Sequence, residues 1–558
     1  MNVCDALLDI LSEYGVKYIF GIPGDAINDL IESLRKRNDI KFIHVMHEEA
    51  GAFAASAQAK LTGELAVCVG TAGPGAIHLL NGLYDAKKDN APVLAITGQV
   101  ETSLIGTAYQ QEVNLLSLFN DVTVFNQAIV NSEQMPELAI LACQTAISKT
   151  GVAHLSIPSN VASLKVKDFK KKKQVIANPG RVVPCRDDLQ AAADLINRSE
   201  KPCILAGIGA RNAINEVLQL SDAIGAPIIK ALRGKDILPD EHPSTLGGIG
   251  LLGTKPSVTA MNSCNLLIII GSDFPYSDFY PEENIPTIQI DKNSDQIGRR
   301  HTVTVPLTGD AELTVAGLLG LISAKHDHKF LDASRANMQK WLREQEEIES
   351  SGDNPIHPQR LARSISSLVN DDAIICCDTG TVTVWGARNF RIRQAQRFTL
   401  SGDLASMAFA LPASIGAQLL FPGQQVIALC GDGGFAMLMC DFATAVKYHL
   451  PVKVFIFNNG KLGLIQMEEE AKSGNPEYQT DLCNPDYAAF AQICGGEGYT
   501  INKAEELDET IKTALASPHP AIINVFVNPE ELTKPPEITF KEAANYSKAK
   551  IKEFLIRY

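Results

Sequence analysis

Val426-Ile427-Ala428-Leu429-Cys430-Gly431-Asp432-Gly433-Gly434 is the stretch that decides how this chain is read. Val426 to Leu429 is apolar and of strand length, and past the glycines Phe435, Leu438, Met439, Phe442 and Val446 recur at helical spacing. The order is strand, glycine turn, helix. Glycine lets the backbone approach an anion closely, and the free amides of a helix start face negative charge. A second apolar strand, Val452 to Phe457, delivers Asn458 and Asn459 to the same sheet edge, where ligands collect in parallel α/β sheets. Asp432, an asparagine oxygen, a main-chain carbonyl and phosphate oxygens would together give a hard cation such as Mg²⁺ the oxygen shell it prefers. Alone, Gly-Asp-Gly also suits a tight turn capped by an aspartate; the asparagines ending an apolar strand are harder to explain by packing.

The 558 residues leave room for three domains of ordinary size, and 45% hydrophobic with 20% charged residues describe a globular chain. A net charge of −14 argues against nucleic acid as a partner. Val3, Leu7, Leu8, Ile10 and Leu11 open an amphipathic helix with no basic start and no apolar block, so neither a signal peptide nor a membrane span is expected. The twelve cysteines are scattered without a CxxC pair, which fits reduced thiols in a cytoplasmic protein.

A repeat emerges when the first and last thirds are compared. Leu65 to Val69 reads as a strand, Gly70 to Gly75 as a glycine turn, and Leu79, Leu80 and Leu83 as a helix, before Pro92, Val93 and Leu94 open the next strand. The late segment has the same order, either by chance or because two related α/β domains bracket a third. Lys170 to Lys173 with Asn178, Pro179 and Gly180 reads as an exposed linker, and Glu344 to Pro355 as a second break without hydrophobic period. Between them Ile204 to Leu205, Ile228 to Ile229, Leu266 to Ile270 and Thr287 to Ile290 read as strands. The expected fold is therefore α/β, three domains at 1–175, 183–335 and 355–530, each a mostly parallel sheet flanked by helices, with a tail at 531–558.

The late motif resembles the thiamine diphosphate (ThDP) motif of the decarboxylase and acetolactate synthase superfamily. The resemblance implies that Asp432, the Asn459 side chain and the Lys461 carbonyl hold Mg²⁺ on the diphosphate, beside Gly433 and Gly434. It also marks Glu48. After a strand from Lys41 to Met46, His47, Glu48 and Glu49 begin a helix, where acidic residues are favourable with the dipole in any case. In the family a glutamate in this His-Glu context bonds N1′ of the aminopyrimidine and activates the cofactor through its own ring. The run Ala405, Ser406, Met407 stands where the family places the apolar side chain that bends the cofactor, a role to set against ordinary core filling by methionine.

In the middle domain Gly207 and Gly209 follow a strand, but Asn212 occupies the third glycine position of a dinucleotide fingerprint. Ala231 to Lys235 including Arg233, the run Gly250, Leu251, Leu252, Gly253, the run Asp273, Phe274, Pro275, Tyr276, Ser277 through Tyr280, and Asp291 look like the FAD site of bacterial pyruvate oxidases, especially the quinone-linked pyruvate dehydrogenase. Arg233 would meet flavin or diphosphate oxygens and Asp291 the adenosine end. The implied reaction converts pyruvate, or a related 2-keto acid, to acetate and CO₂, electrons passing through FAD to a quinone, oxygen or another acceptor. An acetolactate synthase-type carboligase and a non-catalytic cofactor-binding scaffold are the alternatives. Glu468 matches a family glutamate near the reacting carbon, and Gln111 lies in the substrate loop. That loop departs from the family's Phe-Gln, with Gln110 and Gln111 after Tyr109; Thr379 replaces a valine and Leu464 an aromatic. The family shares each site between subunits, so a homodimer or homotetramer is expected. Near the C-terminus Tyr546, Ile551, Phe554, Leu555 and Tyr558 share a helical face edged by Lys548, Lys550, Lys552 and Arg557, suited to the protein body or to weak peripheral membrane contact.

Overall fold

Near-continuous apolar runs such as Leu266–Ile270 and Val93–Gln99 are what a parallel strand covered on both faces requires, and every residue of both is buried. The computed structural model describes residues 1–167, 180–325, 327–531, 533, 535, 536 and 540–557. It arranges eighteen strands in three six-stranded sheets, all pairs parallel. The basic linker at Lys170 to Lys173, with Asn178 and Pro179, lies outside the described residues.

The first sheet holds β1 (Tyr18–Gly21), β2 (Lys41–His44), β3 (Ala66–Gly70), β4 (Val93–Gln99), β5 (Phe125–Ala128) and β6 (Val152–Pro158), in the order β2-β1-β3-β4-β6-β5. The middle sheet holds β7 (Pro202–Ala206), β8 (Ile228–Lys230), β9 (Thr245–Gly248), β10 (Leu266–Ile270), β11 (Thr287–Asp291) and β12 (Val305–Thr308), in the order β12-β11-β10-β7-β8-β9. The third holds β13 (Ile374–Cys377), β14 (Arg397–Leu400), β15 (Val426–Gly431), β16 (Lys453–Asn458), β17 (Glu497–Ile501) and β18 (Ala521–Phe526), in the order β14-β13-β15-β16-β18-β17. Renumbered from its own first strand, the third sheet repeats the order of the first. The middle sheet is wound as a dinucleotide-binding fold, 3-2-1-4-5-6. In each sheet the winding reverses beside its first strand, the outer sheets doubling back again at their last, and ligands of such sheets bind outside the carboxyl ends of the strands at that first reversal. For the third sheet that point lies between β13 and β15, at Asp378 and Asp432.

The segment Glu344 to Pro355, without hydrophobic period, is not all loop. The helix Lys329–Glu349 runs through its first six residues, and Glu349 is 3% exposed with hydrogen bonds from Asn389 and Arg391. The buried carboxylate is neutralised by its partners from the third domain, and no hydrophobic period announces the helix end.

The first and third domains meet along the helices Glu48–Thr62 and Ala410–Leu420. The alanines of the first helix allow this close approach: a Cβ on Gly416 would sit 2.5 Å from the Ala54 carbonyl oxygen, and Gln58 donates to the Gly416 carbonyl at 2.8 Å. At the far end of that helix Lys60 pairs with Asp85 at 2.7 Å and Asp89 at 2.6 Å, and donates to the Leu400 carbonyl. Asp89 also accepts from the Gly402 and Asp403 amides and faces Arg233 of the middle domain at 3.3 Å, so all three domains share one buried charge cluster. Lys60→Met is expected to destabilise the protein by about 3–5 kcal/mol, because it strands the buried Asp85 carboxylate and leaves Asp89 with Arg233 as its one cation among the described residues; urea unfolding checks this, and a loss under about 1 kcal/mol would mark the cluster as screened.

Candidate active site

At the carboxyl edge of the third sheet β15 ends on Gly431, and Asp432 opens the helix Asp432–Leu438. The Asp432 residue is 2% exposed, and its Oδ2 accepts from the Gly460 amide at 2.8 Å and Asn484 Nδ2 at 2.7 Å. Burial pushes its pKa up, against those hydrogen bonds. No lysine, arginine or histidine pairs with it among the described residues. A buried carboxylate without a basic partner is the chemistry a divalent cation would complete. The two asparagines divide: Asn458 is turned inward, bonded to Asn524 and Asn484, whereas Asn459 Oδ1 accepts from the Lys461 amide at 3.2 Å. Lys461 Nζ pairs with Glu477, leaving its carbonyl at the same turn.

The glycines of the turn serve packing. A Cβ on Gly434 would lie 2.2 Å from Asp378 Oδ2, and one on Gly433 would meet Leu462, Leu482 and, at 3.5 Å, the Met407 methyl. Met407 therefore stands beside the glycine turn. It rides on a loop held in left-handed backbone at Ala405 (φ 55°) and Ala408 (φ 68°), which non-glycine residues avoid unless the surroundings enforce it. Asp378 enforces it, one carboxylate oxygen accepting from the Thr379 and Phe409 amides; burial pushes its pKa up to about 7 and Oδ2 has no partner. Ser406 Oγ accepts from Asn81 of the first domain at 3.0 Å, and Asn81 also donates to Glu49 at 2.6 Å.

The first sheet presents Glu48. His47 caps its helix, Nδ1 accepting from the Glu49 amide, and the Glu48 residue is 6% exposed. Glu48 Oε2 lies 3.0 Å from His78 Nδ1, whose ring stacks on His47 at 4.3 Å. A Cβ on Gly75 would come within 3.0 Å of Glu48 Oε1, and one on Gly73 within 2.8 Å of the Gln111 carbonyl. Glu48, the Gly73 to Gly75 turn, His78 and Gln111 thus gather at one sheet edge. Met46, two residues before Glu48, donates to Asp441, which lies within the run of helical turns from Asp432 to Lys447. Within one chain the Glu48 turn lies against the middle of that run, about two and a half helical turns beyond Asp432. Glu468 is half exposed, pairs with Lys472 at 2.8 Å, and lies in the turn after the helix Gly463–Met467; Leu464 of that helix packs on the third core.

A cavity of about 540 Å³ at the carboxyl edge of the middle sheet brings together Gly209, Arg233, Asp273 and Asp291, and is lined also by Lys60 and Arg397 of the outer domains. Gly207 lies behind it: a Cβ there would sit 2.2 Å from the Gly271 carbonyl, and its amide donates to Ile270. Arg233 is engaged by Asp89, Asp273 and Asp403. Asp291 accepts from the Asn293 amide, and burial raises its pKa. Gly250, Leu251, Leu252 and Gly253 do not line this cavity; Arg388 of the third domain binds the carbonyls of the last three, at 2.5, 3.3 and 2.9 Å. Phe274 is buried, with Tyr276 edge-on to it at 5.6 Å, and Pro275 and Ser277 continue the exposed loop.

The last helix, Phe540–Arg557, lies on the turn that carries Glu468: Lys550 pairs with the buried Glu470 at 2.9 Å, and Lys552 and Asn545 donate to the Gly474 and Lys472 carbonyls. Ile551 is 62% exposed; the side chains of Phe554, Leu555, Arg557 and Tyr558 lie outside the described set. Among the described residues no helix is long and apolar enough to cross a membrane. His78, Asp378, Asn484 and Arg388 escape a reading of the sequence; only His78, three residues past the Gly73 to Gly75 turn, has a local signal.

Residues 1–118 match the N-terminal TPP binding domain of thiamine pyrophosphate enzymes, residues 189–318 their central domain and residues 378–525 their C-terminal TPP binding domain. The chain is 44% identical over 550 residues to "Putative thiamine pyrophosphate-containing protein YdaP" of Bacillus subtilis (strain 168), covering 98% of this chain and 95% of that protein. It is 31% identical to a pyruvate oxidase of Lactiplantibacillus plantarum, covering 99% and 93%. It is 33% identical to "Probable acetolactate synthase large subunit" of Methanocaldococcus jannaschii, covering 95% and 93%. With these matches lying in chain order on the three sheets, the chain belongs to the thiamine pyrophosphate enzyme family and is a ThDP-dependent enzyme.

Proposed function

We propose that the enzyme oxidatively decarboxylates pyruvate or a related 2-keto acid. Pyruvate, water and a two-electron acceptor would give acetate, CO₂ and the reduced acceptor, through FAD to a quinone, oxygen or another oxidant. The observation that carries the flavin half is the cavity at the winding reversal of the middle sheet, of a size suited to a cofactor and ending on Asp291. When bound, ThDP supplies the electron sink that lets a 2-keto acid lose CO₂, and FAD the means of taking two electrons onward.

The residues of this chain have definable tasks toward those groups. Asp432, Asn459 and the Lys461 carbonyl would hold Mg²⁺ on the diphosphate, and the helix start at Asp432 would face its charge. Met407, packed toward Gly433, would support the bent cofactor from below. Glu48 would share a proton with N1′ of the aminopyrimidine, its carboxylate oriented by His78. Gln111 and Glu468 would bracket the keto acid. Because the Glu48 turn packs about two and a half helical turns beyond Asp432 within one chain, a second copy of the chain would complete each site.

Acetolactate synthase-type carboligation is the second reading, favoured by the acetolactate synthase relatives. Product accounting separates the two. The loaded enzyme with pyruvate and an artificial oxidant is expected to form acetate in step with oxidant reduced; acetolactate formed without any electron acceptor would overturn the oxidase reading.

A further inference from the structure

The chain between β2 and Glu48 is held from another domain. The Met46 amide donates to Asp441 Oδ1 at 2.8 Å, and the His44 amide to the Tyr448 hydroxyl at 2.8 Å. Lys447 Nζ lies 3.1 Å from His44 Nδ1. All three partners belong to the short helical stretch from Met439 to Tyr448 of the third domain. Asp441 is 1% exposed, takes a second hydrogen bond from Thr444 Oγ1 at 2.9 Å, and its Oδ2 has no partner. Burial raises its pKa to about 6. Keeping a carboxylate in such a place is unfavourable by itself, and a water or an exposed hydroxyl would satisfy one backbone amide as well.

The location gives the reason. His47 is the N-cap of the helix Glu48–Thr62, so Met46 is the residue before the cap, whose placement sets the angle at which the chain enters the helix. Glu48 is the first helical residue and follows that angle directly. Its own side-chain contact, to the half-exposed His78, does not fix the backbone.

We infer that Asp441 is a positioning residue for Glu48: by fixing the Met46 amide it sets the start of the Glu48 helix, and with it the carboxylate that meets the aminopyrimidine. This rests on the reading of Glu48 given above. A displacement of about 1 Å in such a group costs on the order of 10²-fold in rate, so the hold on Met46 matters far beyond one hydrogen bond's worth of stability.

Two readouts test it, neither requiring substrate turnover. In the cofactor-free protein, amide hydrogen exchange across residues 42–50 reports the turn. In the ThDP-Mg²⁺ protein, deuterium exchange at C2 of the bound thiazolium, read by NMR after acid quench, reports the placement of Glu48. Asp441→Ala is expected to lose protection across 42–50 and to slow C2 exchange roughly 10- to 100-fold while retaining bound ThDP. Asp441→Asn, which keeps an oxygen for Met46, is expected to recover most of the rate. Should Asp441→Ala fail to fold, Asp441→Ser, which retracts from Met46, carries the same expectation. Wild-type C2 exchange in a folded Asp441→Ala or Asp441→Ser protein would overturn the inference. Glu48→Gln serves as control: slow exchange there with unchanged Asp441 variants removes only the role of Asp441, whereas fast exchange in Glu48→Gln removes the reading of Glu48 itself.

Discussion

Glu48→Gln is expected to lower turnover by roughly 10²–10⁴-fold, the range general acid–base groups command, while bound ThDP is retained. The glutamine keeps the size and one oxygen of the side chain but loses the charge that shares the aminopyrimidine proton. At 6% exposure Glu48 has little water to compensate it, and its contacts are with His78 and the Gly75 turn, neither of which is a carboxylate. Steady-state kinetics with cofactor quantified by fluorescence after release gives both numbers. Turnover within a few fold of wild type would remove Glu48 from the chemistry and revive the view of the fold as a passive cofactor scaffold.

Asp432→Asn is expected to weaken Mg²⁺-dependent retention of ThDP by more than about 100-fold, since losing even an outer-sphere partner of a metal typically costs 10–100-fold. The asparagine still offers an oxygen to the Gly460 amide, so the turn itself is preserved. Without cofactor the variant should be no less stable than the wild type, because the native carboxylate pays a desolvation cost that no basic group offsets. Titration calorimetry with ThDP and Mg²⁺, beside urea unfolding of the cofactor-free proteins, separates these effects. Unchanged affinity with reduced stability would make Asp432 a structural cap and nothing more.

Much of the fold is legible because its signals are local. The strand, glycine turn and helix around Asp432 stand where the sequence puts them, and the Gly73 to Gly75 match is the trace of two sheets with one strand order. In the middle domain β9 and β12 go unread: they are four residues each, and carry Gly247, Gly248 and Pro306, residues that weaken any strand signal. The helix end at Glu349 is hidden for a different reason, since the partners of its buried carboxylate, Asn389 and Arg391, lie about forty residues away.

The candidate site divides in the same way. Asp432, Asn459, Glu48 and Met407 carry local signals or stand in register with them. Asp441 on Met46, Arg388 on the Leu251 to Gly253 carbonyls and Asp89 on Arg233 join residues more than 130 positions apart, and nothing in the neighbourhood of either partner announces the contact. The Gly250 to Gly253 run carries a contact that its glycines do not announce: its carbonyls accept from an arginine of another domain.

The oxidase reading meets its most direct test when the purified enzyme, carrying ThDP, Mg²⁺ and FAD, is mixed anaerobically with pyruvate while the yellow flavin absorbance is followed. Rapid, stoichiometric bleaching, reversed on admitting an oxidant and absent in Glu48→Gln, is the predicted result. A flavin that stays oxidised while pyruvate is consumed would contradict it.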